Sequence, residues 1–283
     1  MTAASPRAQG APHHAGRVSA GSLQLHYLEY GQGPTVLFLH GLGSASADWQ
    51  LQFAAFAPRY RVIAPDLRAH GQSEAGAFYF TVQDLAGEVA ELAEKLETGP
   101  AHVVGLSLGG CVAQVLGLRR PDLVCSLTLV NTFARLQPAG WRGARRMLHR
   151  LWLLCFAPMT SNAAFIAAGV FPKPEQAQFR AVAEARLSQN PRRTYFAALR
   201  AILTFDIRAQ LPALRCPTLI IAGDRDTTVA LAAKEEQHRL IPGAQMVVVP
   251  DSGHATPYDQ AGFFNRTVLE FIQAHPQKKA PPA

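Results

Sequence analysis

Six nearly unbroken apolar runs punctuate the chain: TVLFLH (35–40), YRVIAP (60–65), HVVGL (102–106), SLTLVN (126–131), TLIIAG (218–223) and QMVVVP (245–250). A strand with one wet face alternates apolar and polar positions, whereas these runs do not, so they read as strands of a parallel sheet covered on both sides. Ahead of them RVSAGSLQLHYLEYG (17–31) does alternate, around a Gly-Ser pair, and reads as an antiparallel hairpin. Between the runs the period changes. In TVQDLAGEVAELAEKLE (81–97), Val82, Leu85, Val89, Leu92, Ala93 and Leu96 fall on one helical stripe, with Thr81 and Asp84 as capping and first-turn acidic residues.

One interval breaks the alternation of strand and helix. From Thr132 to about Asp206 nothing reads as a strand. WRGARRMLHRLWLLCF (141–156), EQAQFRAVAEARLSQ (175–189) and RRTYFAALRAILTF (192–205) all have helical period, separated by FPKP and NP. The pattern predicts an α/β protein with a mostly parallel eight-stranded sheet flanked by helices. A helical cap, residues 132–206, is inserted after the sixth strand and folds over the carboxyl ends of the strands, where open sheets place their sites. Residues 17–131 and 207–275 form the core, and the Ala-, Gly- and Pro-rich ends, 1–16 and 276–283, are expected as tails. In the first cap helix Ala144, Leu148, Leu151, Trp152 and Cys155 share one face, and Arg142, Arg145, Arg146 and His149 lie largely on the other, as a solvated side.

Composition narrows the class. With 283 residues, 48% hydrophobic and 17% charged, the chain can bury a large core. No run approaches eighteen apolar residues and the N-terminal stretch has no signal-like apolar segment, so a soluble, cytoplasmic protein is expected. Four cysteines stand far apart with no C-x-x-C pair, which argues against a disulfide framework and a zinc site. The formal charge of +7 raises the question of a nucleic-acid partner, but no basic run interleaved with stacking aromatics occurs. Much of the excess is local, in Arg142, Arg145, Arg146, Arg150, Lys278 and Lys279.

The chemistry centres on GLSLGG (105–110). At about 7% usage of each residue, roughly one chain in ten of this length would show G-x-S-x-G by accident, so context decides. Ser107 follows a buried strand and precedes a helical run, in a turn whose glycines 105 and 109 permit a sharp bend that exposes the hydroxyl. Serine is a weak nucleophile and needs a base that a third group orients. Of ten histidines, His13, His14 and His275 lie in or near the tails, His26 in the hairpin, His149 and His238 on helix faces, and His102 at the wrong end of its strand. His40, His70 and His254 follow strands. His254, in PDSGHATPYD after the last strand, is the expected general base, and His40 a loop organiser. AGDRDTTV, after the penultimate strand, offers Asp224 and Asp226 as the orienting acid. HGLGSASADW, after TVLFLH, can turn backbone amides toward a ligand, and the amides of Leu42 and Leu108 are expected to hold an oxyanion, each such donor being worth about 3 kcal/mol in a transition state.

In this order HGLGSASADW, APDLRAHGQS, GLSLGG, AGDRD and DSGH resemble the α/β-hydrolase family over residues 18–274. HGLG with GLSLGG is similar to carboxylesterases and the 3-oxoadipate enol-lactonase group. The resemblance implies a Ser107, Asp226, His254 triad, because the family's acid usually falls three residues after the glycine closing its strand, here Gly223. It implies a serine hydrolase that cleaves ester or lactone bonds of a small molecule through an acyl-serine, with no metal or cofactor. Two departures stand out. Related sequences often read R-G-H-G where this one has RAHG, and often carry an acidic residue and proline where this one has Tyr258-Asp259-Gln260-Ala261.

Ser107 argues against dehalogenases and epoxide hydrolases, which have aspartate at the elbow. A meta-cleavage C–C hydrolase, a serine-dependent acyltransferase or perhydrolase, and a non-enzymatic ligand receptor on the same scaffold are the alternatives. Trp141, Trp152, Phe156 and Phe165 in the cap are candidates to line an acyl pocket, and the arginines nearby could attract a carboxylate-bearing substrate or an anionic interface.

Overall fold

The computed structural model describes residues 14–138 and 140–277. Eight strands form one sheet: β1 (His14–Ala20), β2 (Leu23–Tyr30), β3 (Thr35–Leu39), β4 (Arg61–Pro65), β5 (Ala101–Leu106), β6 (Val124–Val130), β7 (Thr218–Gly223) and β8 (Gln245–Val249). Their spatial order is β1-β2-β4-β3-β5-β6-β7-β8. The β1, β2 and β4 pairings are antiparallel, and β4 through β8 run parallel. The expected hairpin is present, with β1 starting at His14, three residues ahead of Arg17 and inside the stretch assigned to a tail. Residues 1–13 and 278–283, the rest of the expected tails, lie outside the described residues.

Alternate residues of each parallel strand enter different cores. Leu37, Leu39 and Val103 pack with α2 (Val82–Lys95) and α3 (Leu108–Arg119), while Val36, Phe38 and Val104 pack with α1 (Gln50–Phe56) and α10 (Ala261–Ala274). Burial on both faces is why the strands are written without polar alternation. The capping expected for α2 is present: Thr81 accepts the Asp84 amide at 3.2 Å, and Asp84 accepts the Thr81 amide at 2.7 Å. The remaining core helices are α8 (Leu231–Leu240) and the one-turn α9 (Thr256–Asp259).

Between β6 and β7 come four helices: α4 (Gly140–Phe156), α5 (Met159–Val170), α6 (Ala177–Ser188) and α7 (Arg192–Leu203). The two ends of this segment are stitched by an isolated antiparallel bridge between Arg135 and Asp206, and the Ile207 amide donates to Ala134 at 3.0 Å. The helices share a small apolar core of Leu154, Ala163, Ala167, Leu187, Tyr195 and Leu199, which also receives Leu42. α7 turns Ala197, Ala198, Ala201 and Ile202 into the main core as well.

The orientation of α4 differs from the expected one. Arg146, Arg150, Leu153 and Leu154 turn inward or stand at its flank, whereas Trp141, Arg142, Arg145, Leu148, Trp152, Cys155 and Phe156 are exposed. The pattern of apolar residues is a poor guide here, because the small core beneath α4 takes Leu154, Leu153 is buried as well, and Arg146 and Arg150 line a cavity.

Candidate active site

The carboxyl ends of β3, β5, β6, β7 and β8 carry, in turn, His40 to Leu42, Ser107, Asn131 with Thr132, Asp226, and His254. Ser107 sits in the left-handed region, φ 54° and ψ −113°, between β5 and α3. Such a conformation costs a side chain of order 1–3 kcal/mol and persists only where the surroundings enforce it. They do so through backbone. A Cβ on Gly105 would stand 2.4 Å from the Gly109 carbonyl oxygen, and one on Gly109 would stand 2.1 Å from that of Leu39. The Ser107 amide donates to Val130 O at 3.0 Å, and the Thr132 hydroxyl donates to Ser107 O at 2.7 Å.

Leu108 opens α3, so its amide has no acceptor within the helix. Gly41 lies against the serine: a Cβ built on it would be 3.6 Å from the Ser107 Cβ. His40 fixes this loop. It accepts the Leu67 amide at Nε2 (2.9 Å), so Nδ1 carries the proton and donates to Gly41 O at 2.8 Å. Burial drives the His40 pKa down, against the pull of the Asp66 charge, which leaves His40 a neutral organiser. The first departure from the resembling sequences has a structural cost: Ala69, where a glycine is often found, adopts φ 65°.

His254 is buried, and its Nδ1 is 2.9 Å from Asp226 Oδ2. That bond engages Nδ1 and leaves Nε2 as the nitrogen available for proton transfer. Asp226 Oδ1 accepts the amides of Thr228 and Val229 at 2.8 and 3.1 Å. Its Oδ2 also takes the Nζ of Lys234 at 2.8 Å, in a pair whose side chains are wholly inaccessible. Burial alone would raise the Asp226 pKa, but the adjacent His254 and Lys234 charges and their hydrogen bonds overcome it and hold the carboxyl well below the usual range. Asp224, the other candidate acid, accepts the Ser252 amide at 3.3 Å.

Three residues of this assembly were absent from the expected set. Asn131 donates to Gly253 O, His254 O and Thr256 Oγ1 at 3.1, 2.8 and 2.8 Å, and accepts the Gly223 amide at 2.8 Å, so it ties the end of β7 to the His254 loop. Asp259 takes the Ser252 hydroxyl at 2.8 Å and the Gly253 amide at 2.6 Å from the other side. Lys234 is the third. In the sequence Asn131 is only the last residue of the run SLTLVN, and nothing beside Lys234 marks it.

Beside Asp226 lies a cavity of about 120 Å³ lined by Arg146, Met147, Arg150, Phe165, Ile166 and the Asp226–Thr228 turn, among others. Of the four aromatics proposed for a pocket, Phe165 lines it. Trp141, Trp152 and Phe156 do not, being 68%, 55% and 76% exposed on the outer side of α4. Arg150 donates to the Tyr195 hydroxyl while its Nε is buried without a partner. A Cβ on Gly169 would collide with the Arg146 guanidinium at 1.6 Å, so a glycine there makes room for it. Among the described residues no group of three or more His, Cys, Asp or Glu could hold a metal ion, and no helix is long and apolar enough to cross a membrane.

With this geometry in place, the family follows. Residues 34–261 match the α/β hydrolase fold family, and the chain belongs to it, as an enzyme of the hydrolase type in an esterase- and lactonase-like group. The chain is 28% identical over 242 residues to 3-oxoadipate enol-lactonase 1 of Acinetobacter baylyi, across 85% of this chain and 89% of that protein. The enol-lactonase from Burkholderia xenovorans LB400 superposes with a TM-score of 0.84 at 27% identity, covering 91% of this chain and 100% of that one. A meta-cleavage product hydrolase from Pseudomonas fluorescens IP01 gives 0.74 at 27% identity, over 92% and 97%.

Proposed function

We propose that the protein is a serine hydrolase that cleaves carboxylic ester or lactone bonds through an acyl-Ser107 intermediate. The observation that carries this reading is the serine held at φ 54° by glycines that backbone contacts make irreplaceable. His254 Nε2 takes the Ser107 proton as Oγ attacks the carbonyl. Asp226 fixes the imidazole and stabilises its cation, and the Leu42 and Leu108 amides receive the oxyanion. His254 then protonates the leaving oxygen and activates the water that releases the acid.

The segment from 132 to 206 acts as the cap, and it supplies the acyl side of the site. Arg146 and Arg150 line the cavity and take part in none of the ion pairs among the described residues; the Asp226 charge, which also faces the cavity, is already engaged by Lys234 and His254, and partly buried cations so weakly offset are costly. That favours an ester or lactone whose acyl group ends in a carboxylate. The likeness to a meta-cleavage product hydrolase supports C–C bond cleavage as a second reading.

Ser107→Ala is expected to lower turnover of p-nitrophenyl butyrate by at least about a thousandfold with an unchanged circular dichroism spectrum. A folded variant that keeps most of its turnover would refute the assignment. Running lactones and a meta-cleavage dienone beside the esters separates the two reactions.

A further inference from the structure

The outward face of α4 is apolar where solvent would favour charge. Trp141, Leu148, Trp152 and Phe156 are 68%, 67%, 55% and 76% exposed, and their spacing of seven, four and four places them along one line of the helix. The ridge is continuous toward its carboxyl end, where the Trp152 and Phe156 ring centres are 6.2 Å apart. Exposed Arg142 and Arg145 stand beside it, their guanidinium carbons 5.9 and 5.4 Å from the Trp141 ring centre. No Asp or Glu occurs between Asp122 and Glu175, while Arg135, Arg142, Arg145, Arg146, Arg150 and Lys173 all do.

We propose that this ridge docks on an anionic lipid bilayer, with Trp141, Leu148, Trp152 and Phe156 entering the boundary between headgroups and acyl chains and Arg142 and Arg145 meeting lipid phosphates. A contiguous apolar patch rimmed by polar groups marks an interaction surface. A helix with Trp, Phe and Leu on one side and arginines at its edge, and without acidic residues, has the chemistry of an interfacial element. Charge decides among occupants. A second copy docked ridge to ridge would add its own arginines to this face with no carboxylate in the segment to offset them. The terminal segments 1–13 and 278–283 carry no Asp or Glu either, and so do not complement the ridge. The opposite side of α4 holds Arg146 and Arg150 over the cavity, so docking would set the roof of that cavity against the membrane.

The test is co-sedimentation of the full chain with phosphatidylcholine vesicles, with and without phosphatidylglycerol, at about 0.1 M salt, where charges are screened beyond ~10 Å. Binding is expected to vesicles containing phosphatidylglycerol and to weaken as salt is raised. Arg142→Gln with Arg145→Gln should weaken it by roughly fivefold per arginine, and Trp152→Ser with Phe156→Ser should weaken it at least as far. All four side chains are exposed, so the melting temperature reports whether each variant is folded, and the two pairs give separate readings. Equal binding to neutral and anionic vesicles, or undiminished binding by both double variants, overturns the proposal. So does sedimentation velocity that shows a lipid-independent dimer dissociated by Trp152→Ser with Phe156→Ser.

Discussion

Asn131 connects the ends of β6, β7 and the His254 loop through one buried amide. Its Nδ2 serves two carbonyls and a hydroxyl while Oδ1 accepts the Gly223 amide. Truncation would strand several buried polar groups at once, each at about 1–3 kcal/mol before relaxation. Asn131→Ala is therefore expected to lower stability by about 3 kcal/mol in urea unfolding and to reduce kcat more than it raises KM. Asn131→Asp should not restore either, because a carboxylate has no hydrogen to give the Gly253 and His254 carbonyls. Ser107 and His254 stood out in the sequence as candidates because each sits in a loop after a strand beside glycines, whereas the loop alone left Asp224 and Asp226 open and the family resemblance chose Asp226, the carboxylate that His254 Nδ1 meets at 2.9 Å. Asn131 and Lys234 did not stand out, since their roles depend on which loops meet in space, and the same letters in other loops would be ordinary polar residues.

At the level of elements, the strands and α2 could be read closely because burial on both sheet faces, or on one helix stripe, leaves a simple period in the sequence. α4 could not. Its apolar and basic residues were assigned to faces on the assumption that water takes the charges, and the structure places Arg146 and Arg150 on the cavity beside Asp226 instead. The inner arginines carry a prediction about selectivity. For a p-nitrophenyl ester ending in a carboxylate, compared with p-nitrophenyl butyrate, the ratio of kcat/KM values should fall about tenfold in Arg146→Met, corresponding to about 1.4 kcal/mol of lost recognition. A ratio that does not move would remove Arg146 from substrate binding while leaving the serine mechanism intact.

Across the whole molecule, buried histidines set the response to acid. Burial lowers His70 to about 3 and His102 to about 4, and it also lowers His40. Below their ordinary value near 6.5 the unfolded chain takes up protons on these rings that the folded chain refuses, so stability falls as pH falls. Glu88 works the other way. Burial pushes it up to about 7 despite the Arg68 guanidinium 2.7 Å away, so the folded state holds a proton there that the unfolded chain releases above its ordinary value of 4.5. With His70 and His102 set against Glu88 the balance is two protons against one, a net slope on the order of 1 kcal/mol per pH unit between about pH 6 and 5, which the lowered His40 steepens. Urea midpoints should be lower at pH 5 than at pH 7, and equal midpoints would contradict neutral buried histidines. The stitch between Arg135 and Asp206 has a different consequence. Because the four-helix segment is closed at its base, and α7 is keyed to the main core through Ala197, Ala198, Ala201 and Ile202, this segment cannot lift away as one body. The cavity beside Asp226 draws its helical lining from α4 and α5 and none from α7, so the helix keyed to the core is not the one that borders it.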